Sequence, residues 1–499
     1  MISRCRTVLP FAAAAILLTA CSSAPTGGAP KLEPTRTRLP ASATMDASGA
    51  ARRALATAPT TPQARAMDLP ACAGLDDEFR VDPVRRSDDA GRIVLLDNEG
   101  DLAVVDSDGA NLQALTNDAF VDRAAGRMRT YQFPAPSPDG GAVAFVRVDV
   151  DAEGVQQTVQ VVELDDEKRA VSRARDVDVV RGLNVPYVDW SPDGRFLAYL
   201  AIGGAQGVIR VVPSAGGDAF SVQAGAPAYW NWSPDSTAML THVGGRARDA
   251  DADAVVSLVN ISAISAMSAN EPRSQPLAVL PGQFQAPQYS PDGKHTLYAV
   301  NTGPSDLLVV GDANGAPRCA LTRLDLGAFF AWSPDGVHVA LIDVVTPASQ
   351  TAPVRIFDVR DGSSRTVYRD ALMFFWSPTG DQLALVSAVA GDSTTKLAAP
   401  TDQQSQLLMR VEVVDTAGNR SQRVADLHPT VSVVQYVQYF DQYSRAVTPW
   451  SPDGRQLVFA GAQEANGPGV VAVAEFDAQG DLVEVRRVAD GAQAFFARR

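Results

Sequence analysis

The chain has 499 residues, 46% of them hydrophobic, with 43 Lys and Arg against 57 Asp and Glu, a formal net charge of −14. Such an acidic balance excludes nucleic-acid binding, which needs a basic footprint for the phosphate backbone. Four cysteines and four histidines leave little material for a metal centre, and none of their spacings resembles a zinc site. No metal and no cofactor are expected.

In chain order, residues 1–20 read as an export signal. Arg4 and Arg6 form a basic start, and the apolar stretch 8–18 is shorter than the roughly 20 residues a bilayer span needs. It ends in Leu18-Thr19-Ala20-Cys21, which resembles the lipobox of bacterial lipoproteins. That resemblance implies a lipid on Cys21 as the first mature residue. With Ser22 rather than Asp next, it further implies anchoring in the outer membrane, facing the periplasm, where the cell has one. An ordinary secretory signal with an incidental cysteine is the alternative. Residues 21–87 are rich in Ala, Pro, Thr and Ser and poor in aromatics, so they cannot bury enough surface to offset ordering entropy and read as a flexible tether. With Cys5 removed and Cys21 acylated, Cys72 and Cys319 remain. One pair in an oxidising compartment suggests a disulfide, and two free buried thiols are the alternative.

The folded region, residues 88–499, opens with alternating apolar runs at 92–96, 101–106 and 111–116 that read as three strands. Ser-Pro-Asp-Gly then recurs at Ser137, Ser191, Ser290, Ser333 and Ser451, with Ser-Pro-Asp-Ser at Ser233 and Ser-Pro-Thr-Gly at Ser377. Each copy lies between short strand-like runs. The letters suit a bulged hairpin: Ser opens the turn, Pro presets φ, and Gly accepts the positive φ that follows. Trp190, Trp232, Trp332, Trp376 and Trp450 stand immediately before the serine, and Tyr289 takes that place in another copy. A large ring at one fixed position of every repeat is expected where radially arranged sheets pack face to face, so the repeats read as propeller blades. The last residues, Ala494-Phe495-Phe496-Ala497, resemble Ala328-Phe329-Phe330-Ala331, the inner strand leading into Ser333. The C-terminus is therefore expected to supply the inner strand missing from the first blade. The fold expected is all-β, an eight-bladed β-propeller behind a disordered lipidated tether, with seven blades as the alternative.

This unit of Trp-Ser-Pro-Asp-Gly, alternating strand and Asp-x-Asp-Gly turn resembles the WD40-like repeat of the TolB propeller family across nearly all of residues 88–499. The resemblance implies an envelope protein as partner, since TolB binds the lipoprotein Pal. The chain differs in showing no α/β domain before the propeller, in its lipobox, and in its larger number of blades, so no individual binding residue transfers.

Blade geometry puts the tight a–b and c–d turns on one face and the b–c and d–a connections on the other. The long insertions, at 117–130, 244–253, 388–406 and 426–446, all fall on the second face, and loops on a rigid scaffold commonly carry function. The richest contains Tyr436, Tyr439, Phe440 and Tyr443, expected to include exposed partner anchors; an extra packed strand over the propeller mouth is the alternative. Arg127, Arg129 and Tyr131, on a neighbouring connection with Arg123, are candidates to face the same mouth, although the segment reads first as a solvated basic loop. No Gly-x-Ser-x-Gly elbow occurs. His295 and His338 occupy equivalent places and read as solvent-side strand residues, and the acidic run at 246–253 as a solvated loop. The expected function is a lipid-anchored, non-catalytic binding or scaffolding module of the cell envelope. Its partner is expected to be an envelope protein first and a polysaccharide or peptide second. An envelope saccharide lyase or hydrolase, with its site at the propeller mouth, is the alternative.

Overall fold

The computed structural model describes residues 69–74, 90–165, 170–171, 173–204, 206–244, 254–262, 273–282, 286–303, 305–344, 351–390 and 407–497. The signal, Cys21, the tether as far as residue 68 and the acidic run at 246–253 lie outside them.

The repeat motif builds the same turn every time. The serine Oγ accepts the N–H five residues on, from Ala142, Phe196, Ala238, His295, His338, Gln382 and Gln456, at 2.8–3.1 Å. In six copies that Oγ donates to the aspartate two residues on; in the Ser-Pro-Thr-Gly copy it donates to Asp381 instead. The turn thus satisfies its own polar groups, and a strand leaves it in fixed register on either side.

Eight antiparallel sheets follow, forming the eight blades. Blade 1 takes strands b to d from Arg92–Leu96, Leu102–Asp106 and Gln113–Ala114, and strand a from Gln493–Phe496 at the far end of the chain. The closing pairs are Ile93 with Phe496, Val94 with Phe495, Leu95 with Ala494 and Leu96 with Gln493. In blade 8 strand a has shrunk to a single bridge, Trp450 with Leu457, beside Thr448 bridging back to Phe496.

Neighbouring blades are stitched together by the residues flanking each turn. The indole N–H groups of Trp190, Trp376 and Trp450 donate to the carbonyls of Ala135, Ala331 and Phe375 on strand a of the preceding blade, at 2.8, 3.2 and 3.2 Å. The turn prolines also close on the next blade's glycine. A Cβ on Gly91, where φ is +74°, would stand 2.8 Å from Pro452 Cδ, so only glycine fits where the last blade meets the first.

Two regions depart from a plain ring. Residues 69–72 were expected to be shapeless, yet Ala71 pairs in parallel with Ala320 on the outer strand of blade 5. Ala320 N–H donates to Pro70 O at 2.8 Å and Cys72 N–H to Ala320 O at 3.1 Å. Cys72 and Cys319 are joined, with S–S 2.11 Å and Cα–Cα 5.0 Å, in a cluster that includes Leu308, Val310 and Val359. Edge hydrogen bonds and buried apolar contacts order a segment whose composition alone would not.

Blade 2 is the other departure. Its strand b, Ala142–Asp151, has ten residues against six to nine in blades 3 to 8. The turn fixes one end, so the excess length projects from the long-loop face. There strands a, Arg127–Pro136, and c, Gly154–Asp165, accompany it, with an added edge strand at Phe120–Asp122.

Candidate functional site

The space at the centre of the ring is where the chain concentrates its chemistry. The connection from blade 7 to blade 8 forms two short helices, α1 (Val431–Gln438) and α2 (Phe440–Tyr443), with Thr430 Oγ1 capping α1 through Val433 N–H at 3.2 Å. Tyr436, Tyr439, Phe440 and Tyr443 are spaced i, i+3, i+4, i+7, so on helices they share one face. Tyr436, Phe440 and Tyr443 are buried and Tyr439 is half-buried.

These rings meet Phe133 of blade 2, Tyr187 of blade 3, Phe329 of blade 6, Phe375 of blade 7 and Phe495 of blade 1, with centroids 4.4–6.4 Å apart. Polar ties add the remaining blades. Gln442 Oε1 accepts from Trp230 N–H of blade 4 at 2.9 Å. Asp441 Oδ2 accepts from Ala286 N–H, leading into blade 5, at 2.8 Å, and Tyr443 donates its hydroxyl to Pro134 O at 2.6 Å. Arg445 donates to the carbonyls of Pro287 and Ala286 at 2.8 Å each, and through Nε to Asp441 O at 3.1 Å. Blade 8 follows directly in the chain, so the helix pair touches or leads into every blade and plugs the ring at its long-loop end. The expectation of exposed anchors in this segment is thereby corrected, as is the alternative of an extra strand. An eight-bladed ring leaves an axial gap, and these aromatics fill it.

Burial pushes the Asp441 carboxyl up to about 6, against the opposing pull of Arg445 and the Ala286 N–H. It also lowers Arg445 to about 10, against the pull of Asp441 and Asp189. Removing water from a charge costs more than these partners return.

The structure does not bring Arg127, Arg129 and Tyr131 to the plug. Tyr131 is buried in a cluster with Val94, Leu96 and Leu102 of blade 1, and its hydroxyl donates to Asp118. Arg129 is bound between Asp118 and Asp149, at 2.6 and 2.7 Å. Only Arg127 is exposed, lying over the Phe120 ring at 5.7 Å. On this projecting sheet Val121, Met128, Val150 and Val155 are successive cross-strand partners, an apolar row on one sheet face. Val121 is 62% and Val155 45% exposed.

The other half of the channel is open. A cavity of about 620 Å³ runs from Ser444 and Arg445 at the plug to the prolines of the tight turns, Pro334, Pro378 and Pro452. Its wall is uneven. Two residues before the turn serine, blades 3, 4 and 5 carry Asp189, Asn231 and Gln288, whereas blades 2, 6, 7 and 8 carry Ala135, Ala331, Phe375 and Pro449. Asn231 Oδ1 accepts from Tyr289 N–H at 2.8 Å, and Gln288 donates to Phe330 O and accepts from Trp332 N–H. Aligning the copies on their serine would have exposed this polar arc; the helical spacing of the tyrosines would have exposed the plug.

His295 is buried and His338 half-buried near Asp335 and Asp358, which corrects their reading as solvent-side residues. Among the described residues no three His, Cys, Asp or Glu side chains are placed to hold a metal, and no helix is long and apolar enough to cross a membrane.

The eight sheets and their closure define an eight-bladed β-propeller of TolB-like repeats. No family model matches the chain, and no curated protein matches it. Among solved structures it is similar to TolB from Acinetobacter baumannii, with 18% identity over 56% of this chain and 63% of that one and a TM-score of 0.33. The chain therefore spans just under two thirds of that protein's length. It is also similar to an oligogalacturonate lyase in complex with manganese, with 15% identity over 73% and 97% and a TM-score of 0.43. The dihydro-heme d1 dehydrogenase NirN matches with 14% identity over 91% and 86% and a TM-score of 0.47.

Proposed function

We propose that the chain is an exported propeller, held to the membrane by a lipid on Cys21, that works as a non-catalytic binding module for another envelope protein. The observation that carries this reading is the pair of exposed valines, Val121 and Val155, at the two ends of a cross-strand row through half-buried Met128 and Val150 on the long strands of blade 2, with Arg127 beside it. Apolar side chains displayed together above a polar surface mark contact sites for other proteins, and blade 2 grows at the face where the sequence places the long loops. The channel supports the same reading. Its long-loop end is filled by the chain's own tyrosines and phenylalanine.

The test is cross-linking in the native envelope with the parent and with a Val121→Ser, Val155→Ser double variant. The variant folds like the parent and loses a cross-linked partner. Recovery of every partner by a normally folded variant removes this surface from the reading. Replacing Cys21 by Ala abolishes fatty-acid labelling, and persistent labelling refutes the anchor. One observation favours the rival reading of a saccharide-active enzyme: Arg445, at the inner end of the channel, has the charges of Asp189 and Asp441 acting on it. Depolymerisation of a polysaccharide by the purified chain would establish that reading in place of the first.

A further inference from the structure

We infer that the open half of the channel is a binding site for a neutral saccharide, one or two rings deep, entered from the tight-turn face. It lies at the opposite end of the ring from the blade 2 projection and stands independently of the partner proposed there. The cavity, at about 620 Å³, falls within the roughly 300–1,000 Å³ of ordinary small-molecule sites, which are mainly apolar with a few placed polar groups. Its two sides answer to the two faces of a sugar ring. Trp376 is half-buried along one side, beside Phe329 and Phe375 where these back onto the plug, an apolar wall suited to the C–H groups of a sugar. Asn231 and Gln288 line the other, and Ser444 closes the inner end.

Asn231 is the group that points most directly to a ligand. Its Oδ1 takes the Tyr289 N–H at 2.8 Å, which fixes the amide's orientation and leaves Nδ2 as a donor. Among the described residues no acceptor meets it, while the residue borders the cavity half-buried. A hydroxyl both donates and accepts, so it can serve this donor and the Ser444 hydroxyl alike.

Charge argues for a neutral guest. Nε, Nη1 and Nη2 of Arg445 each donate to a carbonyl, of Asp441, Pro287 and Ala286, so three of its five N–H groups are held by the protein and a carboxylate or phosphate finds the guanidinium already fixed in place. It would also approach Asp441 and Asp189, whose charges act on Arg445. A cation would meet Arg445. Hydroxyl groups carry neither penalty.

Two variants test the site without dismantling the plug. Ala331→Phe places in blade 6 the residue blade 7 already carries at the same position, Phe375, so the repeat accommodates it and the cavity narrows. Asn231→Asp keeps the oxygen that holds Tyr289 and removes the donor. The full-length protein is titrated with maltose, cellobiose, lactose and diacetylchitobiose, following tryptophan fluorescence, with digalacturonate and spermidine as charged controls. At least one neutral disaccharide binds saturably, the charged controls bind more weakly, and each variant weakens it by about tenfold or more while melting like the parent. If Ala331→Phe fails to fold, Asn231→Asp decides. The inference is overturned if none of the four neutral sugars binds, if a charged control binds better, or if a folded variant binds as the parent does.

Discussion

Two regions on the long-loop side of this propeller use their side chains in opposite ways. Residues 431–446 hold four aromatic rings within eight positions, the richest such cluster in the chain, and spend them inward on the ring's own strands. Residues 118–128 with 150–155 are plainer in composition, yet they leave Val121 and Val155 in solvent. The difference lies in what each segment can reach. A segment that can reach the axial gap gains by filling it, because buried aromatic surface is worth more there than in water. The hairpin at Phe120–Asp122 is paired to the end of strand a that projects beyond the long-loop face, where Val121 and Val155 stay uncovered. Aromatic content alone therefore forecasts little about which loop is available to a partner.

The strongest way to break this contrast is at the seam. Deleting residues 490–499 removes strand a of blade 1 and also Phe495, which lies against Tyr436 and Tyr443. Each buried Phe lost costs about 3–5 kcal/mol, so the truncated chain aggregates or melts far below the parent in calorimetry. Melting within a couple of degrees of the parent would refute closure by the C-terminus.

Within the plug, Tyr443→Ala loses a fully buried ring and costs about 3–5 kcal/mol, whereas Tyr443→Phe loses only the hydroxyl bond to Pro134 O, about 1 kcal/mol. Urea denaturation separates the two. Equal small losses would mean that the rings are not holding the blades.

Asp441 makes the plug sensitive to pH. Its folded value, about 6, stands above the ordinary 3.8, so between those values the folded chain binds a proton that the unfolded chain has released. The resulting stability is complete below about pH 4 and is lost as pH rises through 6, a change on the order of 3 kcal/mol. Plotted from pH 4 to 7, urea midpoints fall by a correspondingly smaller amount in Asp441→Asn than in the parent. Parallel curves would remove this carboxyl from the stability balance.

The projection gives the smallest effect. Val121→Ser and Val155→Ser, taken singly, shift the stability by no more than about 0.5 kcal/mol, as exposed substitutions generally do. A larger loss would show that the row is packed rather than displayed.

The ring itself was legible because Ser-Pro-Asp-Gly is a local device: one hydroxyl, one proline and one glycine complete the turn before any distant contact forms. The seam was legible because Phe495 and Phe496 repeat Phe329 and Phe330. The plug was not, because a long loop between strands invites a search for alternation, and Tyr436, Tyr439, Phe440 and Tyr443 follow the helical period instead. The polar arc was obscured by the constant tryptophans. Asp189, Asn231 and Gln288 stand at the position beside them, where other blades carry Ala, Phe or Pro. The docking of residues 69–72 leaves no local signature, since strand d of blade 5 provides the template.

That docking decides how the protein bears a pull. Tension arriving along the chain from its N-terminal side reaches Cys72 before Gly91, and the bond to Cys319 passes it into the outer strand of blade 5. Blade 5 is four blades from the seam, so the force enters the ring across from its closing strand. Reduction moves the point of attachment to blade 1, where the same tug works directly on the strand that Gln493–Phe496 keeps closed.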